Sequence, residues 1–443
     1  MNHEGKGLSA LGLTMMALGT VVGGSFFLGS AIAIKASGPS VVMAYILGGG
    51  IVYFILFALS EMTVADPAPG SFRTFAQEAF GPGVGFVVGW VYWTGLILAM
   101  SSEATAVALF FRLWFPRISL PILGSIIIVA VTLLNLLGAK RLSKLESGLA
   151  AIKLLAIVGF IVLALGLISG AMPHTSSIGI GALNNEPLMP EGISGFAGSM
   201  LIVMFTYAGF EIIGLAASET ADPHHIVPKA INYTVCTLVV LYTLSITVLL
   251  PLIPTNNLTE DVSPFVAALE SNGIGWAADA INIVLVTAIL STMLAATFGL
   301  GRMMRSLAEE GCAPSFVKDN TDVPYKGIIF SGVAMLLGLS LSFFLPKKVY
   351  LFLLSSGGFS LLFTYLVILA THHVFRRRKG SPAKDHCQLR GFPYTSFIAI
   401  CALIAIIVSM PLIPGQGSGL VAGLIFIAFY SVCYMISKHS KNK

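Results

Sequence analysis

Polar residues break this chain at wide intervals, and between them lie runs of about 20 apolar residues, the length a helix needs to cross a bilayer. Such runs fall at 11–35, 40–62, 84–111, 120–138, 148–170, 194–217, 229–252, 276–299, 327–345, 349–373, 395–413 and 417–437. They predict an all-α polytopic membrane protein with twelve transmembrane (TM) helices. Residues 1–7 are short and polar, and the first run is too long for the apolar core of a signal peptide, so no cleavable leader is expected. The pattern is most diluted in 349–373, by Ser355, Ser356, Gly357 and Gly358.

Two runs are interrupted where a membrane helix should continue: Gly19-Thr20-Val21-Val22-Gly23-Gly24-Ser25 in the first, and Phe205-Thr206-Tyr207-Ala208-Gly209-Phe210-Glu211 in the sixth. Glycine costs roughly 1 kcal/mol in a helix interior. Backbone freed from a helix is tolerated at membrane depth only where it packs in protein or lines a cavity. Five spans occupy 11–171 and five more 192–374, while 395–437 holds the last two. An odd number per half makes the second half enter the membrane from the opposite side, a five-plus-five inverted repeat with TM1 and TM6 discontinuous. Paired breaks at matching repeat positions are a pointer to the substrate site of a secondary transporter. The loops 63–83, 171–193, 253–275, 300–326 and 374–394 leave no room for a soluble domain, so residues 1–443 read as one transporter domain. Segment 255–273 is expected to form short helices over the cavity.

Composition agrees: 56% of residues are hydrophobic, 10% are charged and the mean hydropathy is +0.90, against roughly 25% charge in soluble domains. Basic residues set the orientation. With the N-terminus in the cytoplasm, 19 of the 25 lysines and arginines fall inside, and Lys35, Arg112, Arg117, Lys347 and Lys348 fall outside. Both termini are therefore expected in the cytoplasm of a cell-membrane protein. The net charge of +5 follows from topology, and the Arg376–Lys379 run reads as a positive-inside anchor rather than a nucleic-acid or lipid-specific site. Cys236, Cys312, Cys387, Cys401 and Cys433 show no metal spacing and no expected disulfide. His224-His225 and His372-His373 read as solvated or interfacial helix-end residues. No cofactor is implied.

The breaks carry the candidate chemistry. Amides of Gly24, Ser25 and Phe26 suit a carboxylate, and carbonyls of Val21, Phe205 and Ala208 suit an ammonium group. Val22, Gly23, Thr206, Tyr207 and Gly209 complete the expected lining, with Ala104 and Met293 as further candidates and Phe205 as a cover. The plainer reading is a glycine-rich packing face. Among the ionisable residues inside spans, Glu103, Glu211 and Lys153 are taken as functional candidates. Each carboxylate also reads as a structural acceptor, and Lys153 as a snorkelling surface lysine. A buried lysine could instead exchange a proton during transport, or stand where a sodium ion would.

No HExxH, paired aspartates, cofactor motif or pore-lining repeat supports a membrane enzyme or a channel. A zwitterion carrier, either a symporter or an exchanger, remains, with the lipid bilayer, protons and a small-molecule amino-acid substrate as its partners.

These residues resemble the amino-acid permeases of the amino acid–polyamine–organocation (APC) superfamily, and the bacterial amino acid transporter family within it. Gly23-Gly24-Ser25-Phe26-Phe27-Leu28-Gly29-Ser30 is similar to that family's first-helix signature. Gly38-Pro39-Ser40, Leu59-Ser60-Glu61-Met62 and Pro69-Gly70-Ser71-Phe72 resemble its second helix and first loop, and Ser102-Glu103-Ala104-Thr105-Ala106-Val107 its third helix. Phe205–Glu211, Ser218-Glu219-Thr220 and Arg302-Met303 resemble its sixth and eighth helices. The resemblance implies the leucine-transporter-type fold, alternating access, carboxylate binding at Gly24-Ser25 and amine binding by carbonyls of Val21, Phe205 and Ala208. It also implies proton coupling through Lys153 contacting the first break near Gly19. The chain departs from the family pattern at Val22-Gly23-Gly24-Ser25 and at Leu294-Ala295, which removes polar side chains from the pocket edge and favours a neutral, apolar substrate.

Overall fold

The computed structural model describes residues 8–66, 72–172, 177–217, 220–319, 321, 323–341, 349–380, 382 and 387–441, without the side chains of 139–147, 215, 440 and 441. Lys6, Pro69-Gly70-Ser71, Ser218-Glu219, Lys347, Lys348, Lys384 and Lys443 lie outside the described residues, as do the side chains of Lys140, Arg141, Lys144 and Lys441.

Helices make up the described structure. The first half holds α1 (Ala10–Val21), α2 (Gly24–Phe27), α3 (Ser30–Ser37), α4 (Val41–Ala65), α5 (Phe72–Phe80), α6 (Pro82–Phe111), α7 (Leu120–Asn135) and α8 (Ala139–Ser169). The second half runs α9 (Gly192–Thr206), α10 (Ile212–Leu215), α11 (Pro223–Leu249), α12 (Pro264–Ser271), α13 (Gly275–Glu309), α14 (Tyr325–Ser340) and α15 (Val349–Lys379). Two more follow, α16 (Tyr394–Ser409) and α17 (Gln416–Lys441). No strand occurs among the described residues; Leu8 and Thr220 form an isolated bridge. Eight helical segments are long and apolar enough to cross a membrane, and α1, α7, α9 and α14 are shorter apolar helices. A helix satisfies its own backbone groups, which is what an apolar surrounding demands.

The interruptions fall where the glycines stand. Val22 and Gly23 are extended between α1 and α2, and residues 207–211 leave the helix between α9 and α10. Two features differ from the sequence reading. The loop 63–83 contains α5, a nine-residue helix whose Phe72, Phe75 and Ala76 are buried on one side. Helices α13 and α15 run on to Glu309 and Lys379, past their apolar stretches, because a helix can continue into water beyond the hydrocarbon. Segment 255–273 does form short helices, a 3₁₀ turn at Thr255–Asn257 and α12.

Contacts place the helix ends on two faces. One face gathers the start of α1, α6 and α11 with the ends of α4, α13, α15 and α17, as Glu61 meets Arg376, Arg73 meets Glu310, and Gly83 faces Tyr434. It is called the terminal face below. The opposite face is tied by Ala182 N–H to Pro251 O (3.0 Å), Ser40 N–H to Leu188 O (3.0 Å) and Thr255 N–H to Glu186 (2.5 Å). Glycines let helices approach backbone to backbone between the faces. A Cβ on Gly195 of α9 would lie 2.2 Å from Ala36 O of α3, and one on Gly327 of α14 would lie 2.5 Å from Gly301 O of α13. Small residues at contacts are how membrane helices pack when lipid offers no hydrophobic drive.

Candidate functional site

At the first break the backbone turns against α6. Glu103 is 3% exposed, and its carboxylate accepts the N–H of Gly24 at 2.7 Å and of Ser25 at 3.0 Å. Only glycine fits at position 24, since a Cβ there would sit 2.6 Å from Glu103 Oε2 and 2.9 Å from Ile289. Two of the amides read as suiting a carboxylate hold one here, and it belongs to the protein. The third expected donor, Phe26 N–H, is turned back to Gly23 O at 3.2 Å.

Below this point α8 and α13 brace α1. The Lys153 ammonium is fully enclosed and donates to Gly19 O at 2.6 Å and to the Thr292 hydroxyl at 2.9 Å. That geometry replaces the snorkelling alternative. Thr292 lies 3.1 Å from Val22 O and 3.3 Å from Ala288 O, so its single proton goes to one of them while its lone pairs face the ammonium. Two carbonyls of the break are thus gathered by one cation and one hydroxyl.

The second break meets the first directly. Thr20 Oγ1 donates to Gly209 O at 3.1 Å, and Gly209 has a φ of 105°, where a Cβ would lie 2.9 Å from Thr20 O. The Phe205 carbonyl accepts Ala208 N–H (3.1 Å), so it is not a free acceptor, although a carbonyl has a second lone pair. The Thr206 carbonyl accepts the Tyr242 phenol at 3.1 Å. Tyr207 points into α4 and donates to Tyr45 O at 2.8 Å, with its ring fully buried. Glu211 is 4% exposed and accepts from Gly209 N–H (3.1 Å), Tyr92 (3.0 Å) and Tyr365 (3.3 Å). The structural-acceptor reading of Glu211 fits these bonds.

Exposure around the breaks is uneven. Gly19, Thr20, Ala208 and Gly209 are half-buried, whereas Val21, Val22, Gly23, Gly24, Ser25, Phe26, Phe205 and Thr206 are buried, as are Ala104 and Met293. On the side toward the opposite face the breaks are capped by rings: Phe26 stacks on Tyr242 (centroids 3.9 Å) and touches Phe265 of α12 (5.4 Å), which meets Phe160 of α8 (4.8 Å).

Sequence reasoning did not find Thr292, Tyr92, Tyr365 or Glu61. A lone threonine or tyrosine in an apolar helix carries no signal of its partner. Glu61 did carry one, an acid near the end of the run 40–62. It is enclosed, as is His372, whose expected solvated position is corrected: its Nε2 lies 3.2 Å from Glu61.

Known proteins resemble this chain over nearly its whole length. A family model described as amino acid permease matches residues 12–442. The gamma-aminobutyric acid permease of Bacillus subtilis (strain 168) is 32% identical, the match covering 96% of this chain and 92% of that protein. The L-asparagine permease of Streptomyces coelicolor is 31% identical over 91% of this chain and 84% of its own length. The aromatic amino acid transport protein AroP of Escherichia coli O6:H1 is 30% identical, over 93% and 91%.

Proposed function

The chain belongs to the amino acid permease family, and from that membership we propose that it carries an α-amino acid with a neutral, apolar side chain across the cytoplasmic membrane by alternating access, coupled to protons through Lys153. Family membership makes it a transport protein rather than an enzyme. In this reading the helices form twelve spans, ten of them a five-plus-five inverted repeat, with both termini in the cytoplasm, so that the terminal face is the inner one.

One observation carries the proposal: a carboxylate, that of Glu103, already sits on the amides of Gly24 and Ser25. Peptide N–H groups freed from a helix select an anion by charge and by geometry, and the substrate's carboxylate takes the same donors once Glu103 yields them. Carbonyls of Val21, Phe205 and Ala208 receive the ammonium group. Gamma-aminobutyrate, asparagine and aromatic amino acids, the compounds in the relatives' names, share a carboxylate and an ammonium group. Backbone groups hold those two and leave the remainder to side chains, in this reading those of Val21, Val22, Phe205 and Ala208 with Ala104 and Met293.

Lys153 supplies the coupling. As a cation it holds Gly19 O and Thr292 together; after losing a proton it keeps two N–H donors but loses the charge that strengthens both bonds, and the hold of α8 and α13 on α1 weakens. A sodium ion would serve the same carbonyls in a sodium-coupled carrier, and an exchanger needs no ion at all.

The purified protein in detergent, heated with each of the twenty amino acids and with γ-aminobutyrate, tests the substrate claim. A ligand at 100 times its Kd adds about 2.7 kcal/mol of apparent stability, a clear rise in Tm. Absence of any shift at millimolar ligand overturns the claim. In proteoliposomes, uptake driven by a pH gradient without sodium is expected, and Lys153→Met is expected to abolish that drive. Full pH dependence in Lys153→Met removes Lys153 from the coupling.

A further inference from the structure

The terminal face carries a second buried charge cluster, away from both breaks, that no transport step above uses. Glu61 at the end of α4 is 1% exposed and Arg376 near the end of α15 is 6% exposed. The Arg376 guanidinium meets both Glu61 oxygens, through Nε at Oε1 and through Nη2 at Oε2 (2.8 Å). Both ions also hold a single residue of the stretch after α15. Leu389 N–H donates to Glu61 at 2.7 Å, and Leu389 O accepts from Arg376 Nη2 at 3.1 Å. The guanidinium carbon lies 5.2 Å from the Phe392 ring, which also meets the His372 ring at 5.6 Å.

From this geometry we infer that Glu61 and Arg376 form a permanent clasp which locks α4, α15 and the 387–392 segment into one rigid body, leaving α1 as the part of the terminal face that moves. Three observations support permanence. Removing either partner of a buried ion pair strands the other's charge, which opposes opening of the pair. The same end of α15 is fastened twice more, by Lys379 to Asp66 (2.5 Å) and by Arg378 to the carbonyls of Glu78 (2.8 Å) and Ala79 (3.3 Å) at the end of α5. Helix α5 in turn is pinned to α13 through the Arg73–Glu310 pair. By contrast α1 has no charged residue, and its Met15, Met16, Gly19 and Thr20 are half-exposed.

Cys387 reports on the clasp. It is 2% exposed, and burial together with the nearby Glu61 charge pushes its thiol up to about 12, so a clasped segment keeps it unreactive. The experiment is maleimide alkylation of the full-length protein in proteoliposomes, with modification at Cys387 quantified by mass spectrometry.

Glu61→Gln and Arg376→Gln are each expected to speed modification at least tenfold, and the Glu61→Gln/Arg376→Gln double variant less than the product of the two, since the pair acts as one unit. Arg376→Lys, which keeps the charge, is expected to fall between. Folding is checked by a single symmetric gel-filtration peak, and a variant without one is replaced by Arg376→Lys as the reporter of the clasp. Unchanged alkylation in folded Arg376→Gln, or in Arg376→Lys where it stands in, overturns the clasp. The claim of permanence rests on the alternating-access reading and has its own arm. Wild-type Cys387 modification is expected to be the same, within twofold, with and without the amino acid that stabilises the protein or, if none does, with and without an imposed pH gradient. A change beyond tenfold makes the cluster a moving gate and overturns permanence while leaving the clasp itself standing.

Discussion

At the scale of single residues, Thr292 shows best what a sequence hides. Its hydroxyl bridges the Lys153 ammonium and the Val22 carbonyl, yet a threonine four residues after an alanine in an apolar helix always has a local acceptor, and Thr292 lies near that one too, at 3.3 Å from Ala288 O. Replacing it with valine keeps the shape and deletes the bridge. A buried donor or acceptor left unsatisfied costs about 1–3 kcal/mol, so Thr292→Val is expected to lower Tm and to flatten the pH profile of uptake, while Thr292→Ser restores both. An unaltered pH profile in Thr292→Val would leave the residue with a packing role only. Lys153, Glu103 and Glu211, by contrast, were visible as candidates from sequence, because charge inside an apolar run is costly and needs a reason. Most of their partners were not visible, since apart from the Gly209 amide beside Glu211 they come from segments more than 75 positions away, as the separation of 79 positions between Gly24 and Glu103 illustrates.

At the scale of elements, the breaks were legible because glycine is the residue that pays for them in both directions: it weakens the helix and permits what replaces it. Gly209 combines a φ of 105° with a 2.9 Å approach to Thr20 O, so Gly209→Ala faces backbone strain of roughly 1–3 kcal/mol as well as collision. It is expected to reduce transport and Tm together; a Gly209→Ala protein with wild-type uptake would show that the two breaks need not touch. Helix α5 escaped notice because nine residues are too few for a span, and a loop arginine such as Arg73 gives no hint that it will be fully buried. The turn before α14 has its own electrostatics. The Thr321 hydroxyl (2.6 Å), with the amides of Thr321 (3.1 Å) and Lys326 (3.3 Å), brings Asp319 down from 3.8 to about 2. A depressed carboxylate stabilises the fold above its unfolded pKa and loses that contribution as pH falls toward its folded one. The Tm gap between wild type and Asp319→Asn should therefore be full above pH 4 and close between pH 4 and 2; a gap that persists at pH 2 would deny the carboxylate its part.

The whole molecule is asymmetric about its breaks, and this follows from what packs on each side. Toward the opposite face, Phe26, Tyr45, Tyr207 and Tyr242 are fully enclosed and Phe265 of α12 is driven among the rings. Toward the terminal face, Thr20, Ala208, Gly209, Ala295 and Ala296 are only half-covered. Under the proposed alternating access, closure on one side relies on aromatic packing and access on the other on the lack of it. Truncating a buried phenylalanine to alanine typically costs 3–5 kcal/mol, and in the alternating-access reading proposed above the Phe265 contacts exist only while that side is shut. The loss falls on one conformation, and a shift between two states needs only about 5.5 kcal/mol to go from 1:99 to 99:1. Phe265→Ala should therefore raise the population open to the opposite face by on the order of 10²-fold, at about 3 kcal/mol. With a charged, membrane-impermeant thiol reagent, Thr20→Cys should react from the terminal face alone, and Thr20→Cys/Phe265→Ala from both. Reaction of the single variant chiefly from the opposite face would reverse the assignment of the closed side. Equal one-sided reaction in both variants would show that α12 does not bar the way.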